Sequence, residues 1–82
     1  MIREQQDILH ALIKRGYQAR VDDLYADLLP NMSPLAFRRA CAALYRGGVL
    51  HFSGGLPCPR EGGKVIVVSK GVRYDLANGD WL

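Results

Sequence analysis

No stretch of this chain approaches the run of roughly 20 apolar residues that a membrane-spanning helix needs, which argues against an integral membrane protein. The amino-terminal MIREQQD is polar and carries acids, so it does not read as a secretory leader, and a cytoplasmic location is expected. Cysteine is scarce. Cys41 and Cys58 are too few for a disulfide framework and do not form a C-x-x-C pair, which suits a reducing compartment. Histidine is limited to His10 and His51, and a structural zinc takes about four ligands, so His51 with Cys58 falls short. No metal or other cofactor is expected. Phosphate-binding loops, G-x-S-x-G elbows and H-E-x-x-H helices are all missing. With no nucleophile, base and cavity to assemble, the chain does not read as an enzyme.

What the chain does contain is an ordinary globular composition, 49% hydrophobic and 23% charged over 82 residues, which suits one domain spanning 1–82. Its charge is unevenly placed. Residues 1–30 carry Arg3, Lys14, Arg15 and Arg20 against Glu4, Asp7, Asp22, Asp23 and Asp27. Residues 31–82 carry Arg38, Arg39, Arg46, Arg60, Lys64, Lys70 and Arg73 against only Glu61, Asp75 and Asp80. Positive charge gathered in one part of a small chain is the footprint of a polyanion-binding face.

The best-marked element is Ser33–Leu50. Ser33 is placed to cap a helix by accepting a free backbone N–H, and Pro34 suits its first position. Gly47 and Gly48 close it. Phe37, Ala40, Cys41 and Leu44 form one apolar stripe, leaving Arg38, Arg39, Ala42 and Arg46 on the outward face. Upstream, the spacing predicts helices over about 2–15, with Ile8, Leu9, Leu12 and Ile13 inward, and about 21–29, with Val21, Leu24, Tyr25 and Leu28 inward. Gly16 ends the first and Pro30 the second; Tyr17–Arg20 reads as a short connector with room for an extended form, and Asn31–Met32 as a tight turn. Downstream the period changes. Val49–Ser53 and Lys64–Ser69 read as the strands of a hairpin over about 49–69, joined by the glycine- and proline-rich GGLPCPREGG. A further strand is possible at 72–76, followed by a tail over 77–82. Cys41 reads as a core residue, Cys58 as an exposed one, and the tyrosines as packing groups.

This order of elements resembles the winged helix-turn-helix family of bacterial and phage DNA-binding domains. The likeness covers residues 2–76 as an order and is sharpest over Val21–Leu50. The pieces that carry it are the helix D-D-L-Y-A-D-L-L, the turn N-M-S and the ending A-L-Y-R-G-G-V-L, the last of which looks like the family's L-x-x-x-G-[LVI] join between recognition helix and first wing strand. The resemblance implies an α+β fold: a three-helix winged helix-turn-helix with a C-terminal β-hairpin wing. It also implies a transcriptional or replication regulator that binds double-stranded DNA.

In that reading the third helix enters the major groove, with Leu35, Ala36, Arg38, Arg39 and Ala42 toward the base edges. Arginine matches the O6 and N7 acceptors of guanine, and Leu35 or Ala36 suits a thymine methyl. Arg60 and Lys64 in the wing would contact phosphate. The plainer alternative makes Arg38 and Arg39 a solvated helix face and Arg60 and Lys64 a solvated loop, with Arg46, Lys70 and Arg73 aiding solubility. Asp22 and Asp23 oppose a phosphate near the second helix, unless they turn aside or are compensated by Arg20. A competing function uses the same scaffold as a protein-interaction module, an inhibitor or assembly adaptor of phage type. In either reading, a homodimer or a protein partner would meet the first helix or the Trp81 tail.

Overall fold

The computed structural model describes residues 2–55, 57–58 and 64–72, together with the backbone of 74–75 and 80–81. The chain is α+β, with helices α1 (Arg3–Lys14), α2 (Val21–Leu28) and α3 (Pro34–Arg46) against a small antiparallel sheet. That sheet contains β1 (Gln18–Arg20), β2 (Leu50–His51) and β3 (Val65–Val68) in the order β1-β3-β2. A second antiparallel pair joins β4 (Tyr74–Asp75) to β5 (Asp80–Trp81).

Both well-marked helix ends close in the same way. Beyond α1, the Gly16 and Tyr17 amides donate to the Ile13 and Leu12 carbonyls. Beyond α3, the Gly48 and Val49 amides donate to those of Tyr45 and Leu44. Each is a Schellman closure, and its C′ residue must turn left-handed: φ is +90° at Gly16 and +76° at Gly48. Gly47, expected to share that role, stays right-handed at φ −77°. At the start of α3 the Ser33 hydroxyl accepts from the Ala36 amide at 3.1 Å, with Pro34 at the first helical position.

The predicted apolar stripes converge on one core, apart from Ile13, which was expected to face inward but is half-buried and lies outside it. Ile8, Leu9 and Leu12 of α1 meet Val21, Leu24 and Leu28 of α2 and Phe37, Ala40, Cys41 and Leu44 of α3. Leu50, Phe52, Ile66 and Val68 close it from the sheet side. Tyr25 packs edge-on against Phe37 at 5.2 Å, and its hydroxyl donates to the Met32 carbonyl at 2.7 Å. That bond anchors the turn before α3 and carries Met32 into the core.

The connector Tyr17–Arg20 is extended, and its Gln18, Ala19 and Arg20 pair with Val67, Ile66 and Val65. The β-branched β3 thus has a partner on each side, which satisfies its backbone groups along both edges. Two expectations need correction. The expected tail over 77–82 contains a strand, Asp80–Trp81, which pairs with Tyr74–Asp75. Cys58 is half-buried rather than exposed, because the adjacent Pro57 is fully buried and draws the loop inward. The expected turn residues Asn78 and Gly79 lie outside the described residues.

Candidate nucleic-acid interface

The face of α3 opposite the core carries the candidate site. Leu35, Arg38, Arg39 and Ala42 line one shallow recess there, joined by Ala43 and Arg46. Helical spacing explains the grouping. Ala42 follows Arg38 by four residues and Arg39 by three, and precedes Arg46 by four, so all three arginines border it. From Leu35 to Arg46 the row is about 16 Å long at 1.5 Å per residue.

Ala42 departs from expectation. Its spacing places it on the outward face, yet it is only 7% exposed. It does not belong to the core cluster. It nevertheless lines the recess with Leu35 and the three arginines. Ala42 is therefore the floor of the recess. Leu35 stands at one end, 56% exposed.

Arg38, Arg39 and Arg46 are exposed, and no ion pair engages them among the described residues. No acid occurs anywhere from Leu28 to Arg60. The arginines of the other face are differently employed. Arg15 grips Asp27 with both Nε and Nη2, the latter at 3.0 Å, and Arg20 Nη2 reaches Asp22 Oδ2 at 3.3 Å. The Arg15 bond holds the Asp27 carboxyl below its ordinary range. The pairing with Arg20 supplies the compensation that Asp22 called for, while Asp23 remains exposed.

The expected phosphate contacts of the hairpin fare differently. Arg60 lies outside the described residues. Lys64 does not line the α3 recess. Its ammonium donates to the Gly55 carbonyl across the base of the hairpin loop, and its backbone carbonyl accepts from the Val21 amide at 2.8 Å. Lys64 thus ties the loop to the start of α2, with two of its three N–H donors still free of that bond. Arg46, expected to aid solubility, lines the recess as well, in keeping with its place on the same outward face as Arg39 and Ala42.

A larger groove of about 890 Å³ runs between α1 and the end of α2. Its walls mix Arg3 and Lys14 with Glu4, Asp7 and Asp27, so it offers a polyanion no uniform field. Cys41 supplies no nucleophile, because burial pushes its thiol up to about 12. Among the described residues, no three His, Cys, Asp or Glu side chains are grouped to hold a metal, and no helix is long and apolar enough to cross a membrane. Comparison with protein-family models, curated proteins and solved structures finds no match.

Proposed function

We propose that this chain is a winged helix-turn-helix protein that binds double-stranded DNA through the outer face of α3, acting as a small transcriptional or replication regulator. The observation that carries the reading is the acid-free row of Arg38, Arg39 and Arg46 around Ala42, exposed and free of ion pairs among the described residues. A major groove is about 12 Å wide and admits one helix, and guanidinium forks suit both guanine edges and phosphates. The helix is firmly seated for this role. Its inner stripe is in the core, its start is capped by Ser33, and the turn before it is anchored by Tyr25. The order of helices and the hairpin of β2 and β3 after α3 support the winged-helix layout.

The test is a duplex titration at roughly 50 and 200 mM salt with wild type and the Arg38→Ala, Arg39→Ala double variant. Each phosphate neutralised contributes about −0.9 to the slope of log K against log salt. Two phosphate-contacting arginines would lower its magnitude by about 2, whereas base-reading arginines would cost about 1–3 kcal/mol each and relax sequence preference. Equal binding by wild type and variant at low salt would refute the assignment.

The exposure of Leu35, with Ile2 and Leu29 also more than half exposed, favours a second reading as a protein-docking module. That reading predicts little duplex binding at either salt concentration and a stable complex with a protein partner.

A further inference from the structure

The stripe of α1 turned away from the core carries charges that complement themselves. Asp7, His10, Ala11 and Lys14 recur at helical spacing and share one face, opposite the buried Ile8, Leu9 and Leu12. Asp7 is half-buried and Lys14 exposed, and neither enters an ion pair among the described residues. A carboxylate drawn partly out of water gains from a cation brought against it. All four residues line the groove of about 890 Å³ between α1 and the end of α2, so a second helix laid along α1 finds room for its side chains. Ala11, the smallest of the four, lies near the middle of the stripe and lets that helix approach closely.

We infer that this stripe is a homodimer interface, in which two copies of α1 meet as antiparallel helices about a two-fold axis passing between His10 and Ala11. Such a contact requires a surface that complements itself, each residue meeting the partner's copy of the residue it is paired with. About this axis Asp7 falls opposite the partner's Lys14, Lys14 opposite the partner's Asp7, and the small Ala11 beside the partner's His10. Charge disfavours the other arrangements. Parallel helices would set Asp7 against the partner's Asp7 and Lys14 against the partner's Lys14. Sliding the antiparallel pair by one turn either sets Arg3 against the partner's Lys14 or leaves Asp7 and Lys14 with no opposite charge. A partner of uniform charge fits no better, since the groove holds Arg3 and Lys14 beside Glu4, Asp7 and Asp27. The stripe is about 18 Å long and one helix wide, well below the roughly 800 Å² per partner of a standard interface, so the dimer is weak and reversible. The α3 recess shares no lining residue with this groove, so dimer formation and duplex binding are separate properties.

The experiment is sedimentation equilibrium of the whole chain at low salt, from roughly 10 µM to roughly 1 mM. Wild type should pass from monomer toward dimer across this range. Asp7→Lys and Lys14→Asp each turn two attractions into two repulsions, so each variant alone should dimerise about tenfold more weakly, or less. An equimolar mixture of the two should recover association, because one copy then presents two cations to the two anions of the other. A dilution series of wild type followed by heteronuclear NMR needs no variant. The amides of Asp7, His10, Ala11 and Lys14 should shift with concentration while those of Arg38 and Arg39 stay in place. Wild type that remains monomeric throughout would overturn the dimer. Concentration-dependent shifts confined to other elements, or single variants that dimerise as wild type does, would overturn the assignment to α1. A mixture that fails to associate, although both variants keep the wild-type circular dichroism, would overturn the antiparallel register.

Discussion

Gly47 and Gly48 are neighbours at the end of α3, and alanine should act on them in opposite directions. Gly47 has φ −77° and ψ −1°, which an L residue adopts freely. A Cβ there would lie 3.5 Å from the Ala43 oxygen and 3.7 Å from that of Leu44, ordinary contact distances. Gly47→Ala should therefore stabilise the fold by about 0.4–1 kcal/mol, chiefly by restricting the unfolded chain. Gly48 has φ +76°, and a Cβ there would meet nothing within 4 Å. Its cost is purely conformational, about 1–2 kcal/mol for a left-handed L residue. The unfolded-state gain offsets part of this, leaving a net loss of about 1 kcal/mol. In a chain of this size, 1 kcal/mol moves the melting temperature by about 4–8 °C. Thermal unfolding followed by circular dichroism at 222 nm, with urea titration as a second measure, should give a gain for Gly47→Ala and a loss for Gly48→Ala. Changes of the same sign, or a Gly48→Ala variant as stable as wild type, would refute the Schellman assignment and with it the geometry joining α3 to β2.

Ser33→Ala removes the hydroxyl that accepts from the Ala36 amide and should cost about 1 kcal/mol in the same assays, with Ser33→Asp largely restoring it. The Cys41 thiol is raised from 9.0 to about 12 by burial, so its contribution is complete below pH 9 and is lost as pH climbs toward 12. Stability should fall by up to about 1.4 kcal/mol per pH unit more steeply in wild type than in Cys41→Ala across that window. Asp27 is held below its ordinary 3.8 by the Arg15 bond, so its contribution is present above that value and is lost as pH falls through the lower folded value. Asp27→Asn should therefore lose stability at neutral pH and show a flatter acid limb in urea titrations, and added salt should narrow the gap. A wild-type acid limb as flat as the variant's would show that the Arg15–Asp27 pair does not contribute.

The candidate site was legible where it depends on local spacing. The arginine row, Leu35 and the apolar stripe behind them all follow from a 3.6-residue period over one capped helix. Arg46 obeys the same period and lies on the same outward face. Lys64 could not be judged this way, because its attachment to Gly55 and Val21 is made across the sheet and not along the chain. The burial of Ala42 was hidden for a related reason. An alanine's exposure depends on where its larger neighbours lie, and its own apolar character says nothing of that.

By itself, the sequence determined the three helices, their ends and the faces they bury, because capping hydrogen bonds, proline and glycine backbone preferences and apolar periodicity act within a few residues. The tertiary structure alone decided that three residues of β1 join β3 as its second partner, that Asp80–Trp81 pairs back onto β4, and that Ala42 becomes the floor of a recess. A strand of two or three residues is too short to carry a pattern of its own. Its backbone groups become a strand only when folding brings a distant partner within hydrogen-bonding reach.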